Sequence, residues 1–339
     1  MENKLLSKEY VVNKLVSAEN IYEFADCSAE ELITYLQYGC EHYALTDGYG
    51  VNETFHENFK DLRRITADKI LKLDIVYVLL AQPLMPFCSE DTGEFGITIA
   101  TSEKSVETIM NEQKEKGRRC YASELDDVRN FLYKSFFIDG YDHVVLWNSD
   151  MKAAFLLEDD FFKEEEKEGF EKYCGNNGLA SKIASYQQEL YTALCGVSVD
   201  SEVFLRKEMR AFAALMDAEL IVPQKKDGAE RETTTEDEFV RLVPQIEFDN
   251  AKGGAKLIPV FTDLCAMMHS EFNFEKYSFV CIHLEDILEL IPCDYISINP
   301  KEIGLIINKE VAEERVAAVK RFVSEFTEEK IIDQICKKQ

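Results

Sequence analysis

The chain has 339 residues, with 38 Lys and Arg against 64 Asp and Glu, so its formal net charge is -26. This charge repels nucleic-acid phosphates and anionic lipid surfaces, which argues against a nucleic-acid-binding protein or a peripheral membrane protein. The 46% of hydrophobic residues is enough for buried cores. The length suits about two soluble globular domains.

The sequence carries no pattern that directs it out of the cytoplasm. Residues 1–6 lack the apolar segment and the small-residue cleavage site of a secretory signal. The longest apolar run, Ile75 to Ala81, is far shorter than the roughly 20 residues of a membrane helix. Ten cysteines are scattered without a C-x-x-C pair, which is typical of a reducing compartment. We therefore expect a cytoplasmic protein without a membrane span.

The first predicted helix begins at Ser28. Ser28 and Glu31 have the spacing of a capping box, and apolar residues at helical spacing follow from Leu32 onward. Residues 1–56 are predicted as a helical extension that precedes the repeated part of the chain.

Two stretches of the chain, residues 57–160 and 201–310, have the same order of predicted elements. Each opens with a helix that runs into a strand. A second strand, a helix, a third strand, a short helix and two final strands follow, with an insertion near residues 133–141 in the first copy. This order predicts two tandem α+β domains, each a mixed sheet with flanking helices. A period this long indicates duplicated domains and not a solenoid.

Matching polar residues mark corresponding strand ends in the two copies. Thr101 corresponds to Thr262 at the end of the second strand, and Asn148 corresponds to Asn299. Asp263 follows Thr262 at a predicted helix start, where free backbone amides bind anions. Thr262, Asp263 and Asn299 are therefore the candidate ligand-binding residues. The alternative is that side-chain capping occupies the same amide donors.

The segments outside the two copies have simpler patterns. Residues 161–200 are predicted as an acidic linker followed by a helix. Within it, Phe161-Phe162 either anchors the linker helix on a neighbouring domain or forms an exposed docking site. Residues 311–339 have an apolar stripe at helical spacing, which predicts a C-terminal helix packed on the adjacent sheet.

The second copy resembles a known family. Residues 219–223 form a strand ending in Val-Pro, residues 257–263 a strand ending in Pro-Val-Phe-Thr, and residues 296–300 an apolar strand closing in Asn-Pro. From about residue 204 to 309, this succession is similar to the N-terminal domain of the SseB family. The resemblance implies a bacterial intracellular protein, and it brings no agreed reaction, cofactor or catalytic residues.

The first copy resembles this family only through the internal repeat. It keeps Thr101 and Asn148, but Leu79, Ala100 and Ser149 stand where the second copy has Pro, Phe and Pro. The sequence therefore predicts two SseB-like copies, of which the second is the clearer match.

No combination of residues predicts a catalytic or metal site. None of the five histidines has metal-ligand spacing. Cys40 and His42, two residues apart, point in different directions on a helix. Asp126-Asp127 and Glu285-Asp286 are explained by the dipole at a helix start. Gly253-Gly254 lacks the remaining residues of a phosphate-binding loop and suits a hairpin turn.

Three functions compete at this stage. The leading prediction is a non-catalytic intracellular binding or regulatory module that acts on another protein, without a cofactor. The alternative is an enzyme or small-molecule-binding protein with a site between the two domains, near Thr262 and Asn299. The third is an acidic mimic of nucleic acid, which would bind a basic partner in a strongly salt-dependent complex.

Overall fold

The computed structural model describes residues 5–17, 21–46, 51–81, 85–91, 94–163, 165, 176, 178–226, 243–244, 246–248, 255–272 and 275–325. The chain forms two compact units, residues 1–169 and 170–339. Each unit contains both helices and sheet strands, which confirms the predicted α+β class.

The first unit combines a helical start with a mixed sheet. Its helices are α1 (Lys8–Val16), α2 (Ala29–Leu45), α3 (Glu53–Ile70), α4 (Glu103–Glu115), α5 (Val128–Lys134) and α6 (Glu158–Phe161). Its strands are β1 (Val76–Ala81), β2 (Met85–Pro86), β3 (Cys88–Asp91), β4 (Glu94–Ala100), β5 (Cys120–Leu125), β6 (His143–Trp147) and β7 (Ala153–Leu157). A π-helical turn, Ser135–Asp139, continues α5 at the predicted insertion.

The sheet of the first unit brings the predicted strand ends together. Its strands run in the order β2, β1, β4, β6, β7, with β3 paired to β4 and β5 paired to β1. β4 and β6 are parallel neighbours, with Ala100 opposite Trp147, and β7 lies antiparallel to β6. Because a parallel pair ends at one edge of the sheet, Thr101 and Asn148 lie at the same edge.

The helices before β1 pack into the core of the first unit. α2 begins with the predicted capping box, in which the Glu31 amide donates to Ser28 Oγ at 3.3 Å and the Ser28 amide donates to Glu31 Oε2 at 2.9 Å. Leu32 of α2 and Leu62 of α3 share one buried apolar cluster with residues of the sheet. The predicted helical extension, residues 1–56, therefore packs with the strands that follow it.

The aromatic pair Phe161 and Phe162 is buried in the first unit. The Phe162 ring centroid lies 5.5 Å from that of Tyr133 and 5.4 Å from that of Phe137. Phe161 packs against Phe136 at 5.9 Å. The pair belongs to the core of its own unit, so the prediction of an exposed docking site at this pair is wrong.

The second unit has the same kinds of elements. Its helices are α7 (Leu179–Leu194), α8 (Ser201–Asp217), α9 (Leu264–Met268), α10 (Leu284–Leu290) and α11 (Lys309–Glu325). Its strands are β8 (Glu219–Lys225), β9 (Ile246–Phe248), β10 (Ala255–Val260), β11 (Tyr277–His283), β12 (Tyr295–Ile298) and β13 (Leu305–Asn308). Most of the predicted acidic linker before residue 176, the turn at Gly253-Gly254 and residues 326–339 of the predicted C-terminal helix lie outside the described residues.

The strand pairings of the second unit repeat those of the first. β8 pairs antiparallel with β11, as β1 does with β5. β10 and β12 are parallel neighbours, with Val260 opposite Ile298, and β13 lies antiparallel to β12. β9 pairs antiparallel with β10, as β3 does with β4. A single bridge between Ile221 and Phe261 stands where β1 and β4 form a ladder.

The C-terminal helix packs mainly on other helices. α11 contacts α8 and α10, and Ala312, Val316 and Val319 are buried. An ion pair between Arg315 Nε and Glu208 Oε1, at 2.8 Å, ties α11 to α8. This helix also contacts β13 of the adjacent sheet, so the predicted packing on that sheet accounts for only part of its surroundings. An apolar stripe shows which side of a helix is buried, but it does not identify the element that covers it.

Candidate functional site

The structure brings the candidate residues of the second unit together. Thr262 and Asn299 follow the ends of the parallel strands β10 and β12. The Thr262 amide donates to Asn299 Oδ1 at 2.9 Å, and Asn299 Nδ2 donates to Thr262 Oγ1 at 2.7 Å. Both side chains are buried, with exposed fractions of 2% for Thr262 and 1% for Asn299. The two residues thus lock the ends of neighbouring strands to each other.

Asp263 completes this cluster as a helix cap. Its Oδ2 accepts the Thr262 hydroxyl at 2.7 Å, and its Oδ1 accepts the Ala266 amide at 2.8 Å. The helix that it caps, α9, has only five residues. Two amides that an anion would need here, those of Thr262 and Ala266, are thus engaged by the side chains of Asn299 and Asp263. This geometry favours the capping alternative over a ligand site.

Asn299 also shapes the turn after β12. Its φ of 44° lies in the left-handed region, which Asn adopts more readily than most residues. Its amide donates to Val260 O at 2.9 Å, and its carbonyl accepts the amides of Glu302 and Gly304, each at 2.9 Å. Asn299 therefore serves the turn with its backbone and the strand pair with its side chain.

One further residue of this cluster, Asn176, was not predicted from the sequence. Its Nδ2 donates to Glu219 O at 2.6 Å and to Thr262 O at 2.8 Å, and its Oδ1 accepts the Glu219 amide at 3.2 Å. Asn176 thereby fastens the start of β8 to the end of β10. It lies in the predicted linker, where a polar residue gives no sign of such distant contacts.

The corresponding strand ends of the first unit are joined through Glu30 of α2. Asn148 Nδ2 donates to Glu30 O at 3.0 Å and to Thr34 Oγ1 at 2.9 Å. Glu30 Oε1 accepts the Thr101 hydroxyl, and its Oε2 accepts the Ser149 amide at 2.8 Å. The same Thr and Asn positions therefore hold the sheet to a helix here. Glu30 was not among the predicted site residues, although it stands beside the predicted capping box.

The other candidate groups have structural roles. Cys40 is an exposed residue, and partial desolvation raises the pKa of its thiol, which disfavours the reactive thiolate. His42 packs on Phe55, with ring centroids 5.7 Å apart. Asp127 Oδ1 caps α5 by accepting the Asn130 amide at 3.1 Å, and Glu285 pairs with Lys320.

The described part of the chain contains no cluster of three or more His, Cys, Asp or Glu side chains suited to a metal ion. Within the same residues, no helix has both the length and the apolar character needed to cross a membrane.

A polar cavity of about 720 Å³ lies in the first unit. Its lining includes Arg64, Arg129 and Lys163 together with Asp159 and Asp160. Asp160 is buried. Desolvation raises its pKa, and the hydrogen bond from the Leu157 amide and the nearby Arg63 oppose this shift. The cavity thus mixes both charge signs and does not select one class of ligand.

The second unit has an apolar groove between α8 and α11, which we call the α8–α11 groove. Its volume is about 790 Å³. Leu205 of α8 and Phe322 and Val323 of α11 line it, with exposed fractions of 55%, 54% and 60%. Arg206, Arg210 and Arg321 also line it. This surface was not predicted, because the sequence does not show that residues 201–217 and 309–325 are neighbours.

Comparison with known proteins identifies the second unit. Residues 205–314 match the family model of the SseB protein N-terminal domain. This match agrees with the resemblance that the strand-end motifs carry. No curated protein and no solved structure matches the chain. The matched span begins in α8 and ends in α11. It contains both strand ends of the Thr262 cluster and the groove-lining residues of α8 from Leu205 onward, whereas the groove-lining residues of α11, 318–323, follow it.

Proposed function

We propose that the SseB N-terminal domain of this chain is a non-catalytic protein-binding module and that the α8–α11 groove is its contact surface. The observation that carries this proposal is the exposure of Leu205, Phe322 and Val323 side by side on two packed helices. Single exposed apolar side chains are ordinary on a protein surface, whereas contiguous ones mark interaction sites.

The chemistry of the groove suits protein contacts. Aromatic and Arg side chains supply most of the binding energy in typical protein interfaces, and the groove combines Phe322 with Arg206, Arg210 and Arg321. A concave apolar surface with charged groups is also the form of grooves that receive a partner helix.

Buried polar and charged side chains near the groove join its helices to their neighbours. Lys207 Nζ of α8 donates to Glu189 Oε1 of α7 at 2.9 Å, and both side chains are buried. Tyr186 of α7 donates to Glu208 Oε1 of α8 at 3.2 Å, and burial raises the pKa of this phenol. These pairs fix α7 against α8, and the ion pair between Arg315 and Glu208 fixes α11 against α8. They form no set that converges on an open cavity.

The first unit is proposed to be a diverged copy of the same domain. The support is its topology, since four of its strand pairs, β1–β5, β3–β4, β4–β6 and β6–β7, recur with the same direction in the second unit. A helix pair also precedes the first sheet strand in each unit, α2 and α3 in one and α7 and α8 in the other. The resemblance further supports a bacterial cytoplasmic protein. The alternative function, a small-molecule or catalytic site between the domains, stays a prediction.

Affinity capture of the full-length chain from its native cytoplasm tests the binding proposal. We expect a partner that the wild-type chain retains to be lost by the double variant Leu205→Asp/Phe322→Asp. Leu194→Asp is the matched control, because Leu194 is 71% exposed on α7 and does not line the groove. Retention of every partner by a groove variant with a native circular dichroism spectrum would contradict the proposal.

A further inference from the structure

We infer that the α8–α11 groove binds an amphipathic helix with acidic flanks from a partner protein. This inference rests on the proposed function and specifies the partner's chemistry. Three features of the groove support it: its helical walls, its apolar floor and the sign of the charge along its rim.

The groove has the length and form of a helix-binding site. A second cavity of about 520 Å³ shares Arg210, Ala213, Val319 and Val323 with the first, so the two lie next to each other along the same pair of helices. From Glu202 to Asp217, α8 extends about 22 Å at 1.5 Å per residue, which corresponds to about four helical turns. Both walls are helices. An extended peptide binds by adding a strand to the exposed edge of a sheet, and these walls provide no such edge.

The spacing of the apolar residues in the groove predicts the spacing of the apolar residues on the partner helix. Along α8, the lining residues recur at intervals of three or four positions, from Leu205 through Met209 to Ala213. Val319 and Phe322 of α11 face the same cavity. A helix with Leu or similar residues at positions i, i+3 or i+4, and i+7 matches this spacing, because those side chains share one helical face.

The charged residues that line the groove are mostly basic, although the chain as a whole is acidic. The whole protein has 64 acidic against 38 basic residues. The two adjacent cavities are lined by the basic residues Lys182, Arg206, Arg210 and Arg321, and by the acidic residues Glu202 and Asp217. At physiological salt the screening length is about 8 Å, so these local charges outweigh the distant acidic residues. Arginine also pairs well with carboxylates, which favours Glu or Asp beside the partner's apolar stripe.

The same charges argue against a second copy of the chain as the occupant. A twofold dimer places the same patch of both copies face to face. Two patches that each have more basic than acidic residues would then face each other, and each copy carries a net charge of -26. Like charges across an interface disfavour that pairing.

Peptide binding to the full-length chain tests the inference. The probes are fluorescent helical peptides of about 16 residues, matched in length to the groove. They share one Leu stripe and differ only in flanking Glu or flanking Lys. We expect the Glu peptide to bind roughly tenfold more tightly than the Lys peptide, since a few exposed ion pairs contribute about 1.4 kcal/mol together. Arg206→Glu/Arg210→Glu should reverse this order, whereas Leu194→Asp should leave it unchanged.

Several results would overturn the inference. One is equal affinity for the two peptides, or no binding of either. Another is a concentration-dependent dimer in sedimentation that Phe322→Asp abolishes, since a second copy would then be the occupant. A third is binding only after removal of residues 326–339, since the chain's own C-terminal segment would then be the occupant. If a captured partner depends on Leu205 and Phe322 but the Glu peptide fails, the proposed function stands and only the acidic-helix inference falls.

Discussion

The helices that pack on one another in the two units differ in how completely the side chains at their contacts are covered. In the first unit, α1 packs on α2 and α3, and Val11, Leu15 and Phe55 are buried. In the second unit, α11 packs on α8 but leaves Leu205 and Phe322 exposed. Two units with the same strand pairings thus present different surfaces. The exposed side chains of α8 and α11 are the ones on which the proposed contact surface depends.

The strand ends show a second difference between the units. Thr262 and Asn299 bond directly to each other, whereas Thr101 and Asn148 both bond to Glu30. The side chains of equivalent residues therefore bond to each other in one unit and to α2 in the other, where Thr101 also donates from its amide and hydroxyl to Trp147 O across the strand ends. Corresponding positions in the two units thus indicate where a residue lies, and its hydrogen-bond partners show what it stabilises.

The largest expected effect is on the buried ion pair of the second unit. Lys207→Ala leaves the Glu189 carboxylate buried without its 2.9 Å partner, and it should lower the free energy of unfolding by about 3–5 kcal/mol. Urea denaturation of the full chain, followed by proteolysis to identify the unit that opens, measures this. Lys207→Met/Glu189→Leu should recover most of the loss, because it removes both charges. A loss below about 1 kcal/mol in Lys207→Ala would mean that the pair is hydrated.

The next effect separates the two roles of Asn299. Asn299→Ala removes the side-chain bonds to Thr262 and places Ala at a positive φ, so it should cost about 2–4 kcal/mol. Asn299→Gly also loses these bonds but accepts the backbone conformation, and it should cost about 1 kcal/mol less. Equal urea midpoints for the two variants would show that the left-handed turn adds no strain.

Glu30 offers the matching test in the first unit. Glu30→Ala removes the acceptor of the Thr101 hydroxyl and the Ser149 amide, and we expect a loss of about 1–2 kcal/mol. Hydrogen exchange should accelerate at Ser149 and remain unchanged at Thr262. Acceleration at both residues would contradict the assignment of separate strand-end networks to the two units.

The smallest effect is a pH dependence that belongs to the first unit. Burial raises the pKa of Asp160 above its ordinary 3.8, so the folded state binds a proton more tightly than the unfolded state. This group's contribution to stability is therefore greatest below pH 3.8 and is lost as pH rises through the raised pKa. The difference in stability between wild type and Asp160→Asn, measured by urea titrations across that range, should change in this direction. A difference independent of pH would contradict it.

Local patterns of the sequence predicted much of this fold. The capping box at Ser28 begins α2, and β12 ends directly before Asn299, both as the sequence predicts. The nearness of Thr262 and Asn299 also followed from local signals, since each residue ends a strand of the repeated pattern. These features depend on residues close in sequence, which is why periodicity and capping residues identify them.

Contacts between distant segments were not predictable in this way. α1 was not predicted, and the bonds of Glu30 to Thr101 and of Asn176 to Thr262 join residues far apart in sequence. The α8–α11 groove also depends on a contact between distant segments, because it forms where α11 packs on α8. An amphipathic pattern predicts which side of a helix is apolar. It does not show which of those apolar residues a neighbouring helix leaves exposed.

Photo-crosslinking in the native cell tests the groove most directly. Replacing Phe322 with the photo-reactive residue p-benzoylphenylalanine places the crosslinker in the α8–α11 groove, and the same replacement at Leu194 is the exposed control on α7. We predict a discrete crosslinked partner from position 322 and none from position 194. A partner that crosslinks equally from both positions, or from position 194 alone, would contradict the groove as the binding surface of this domain.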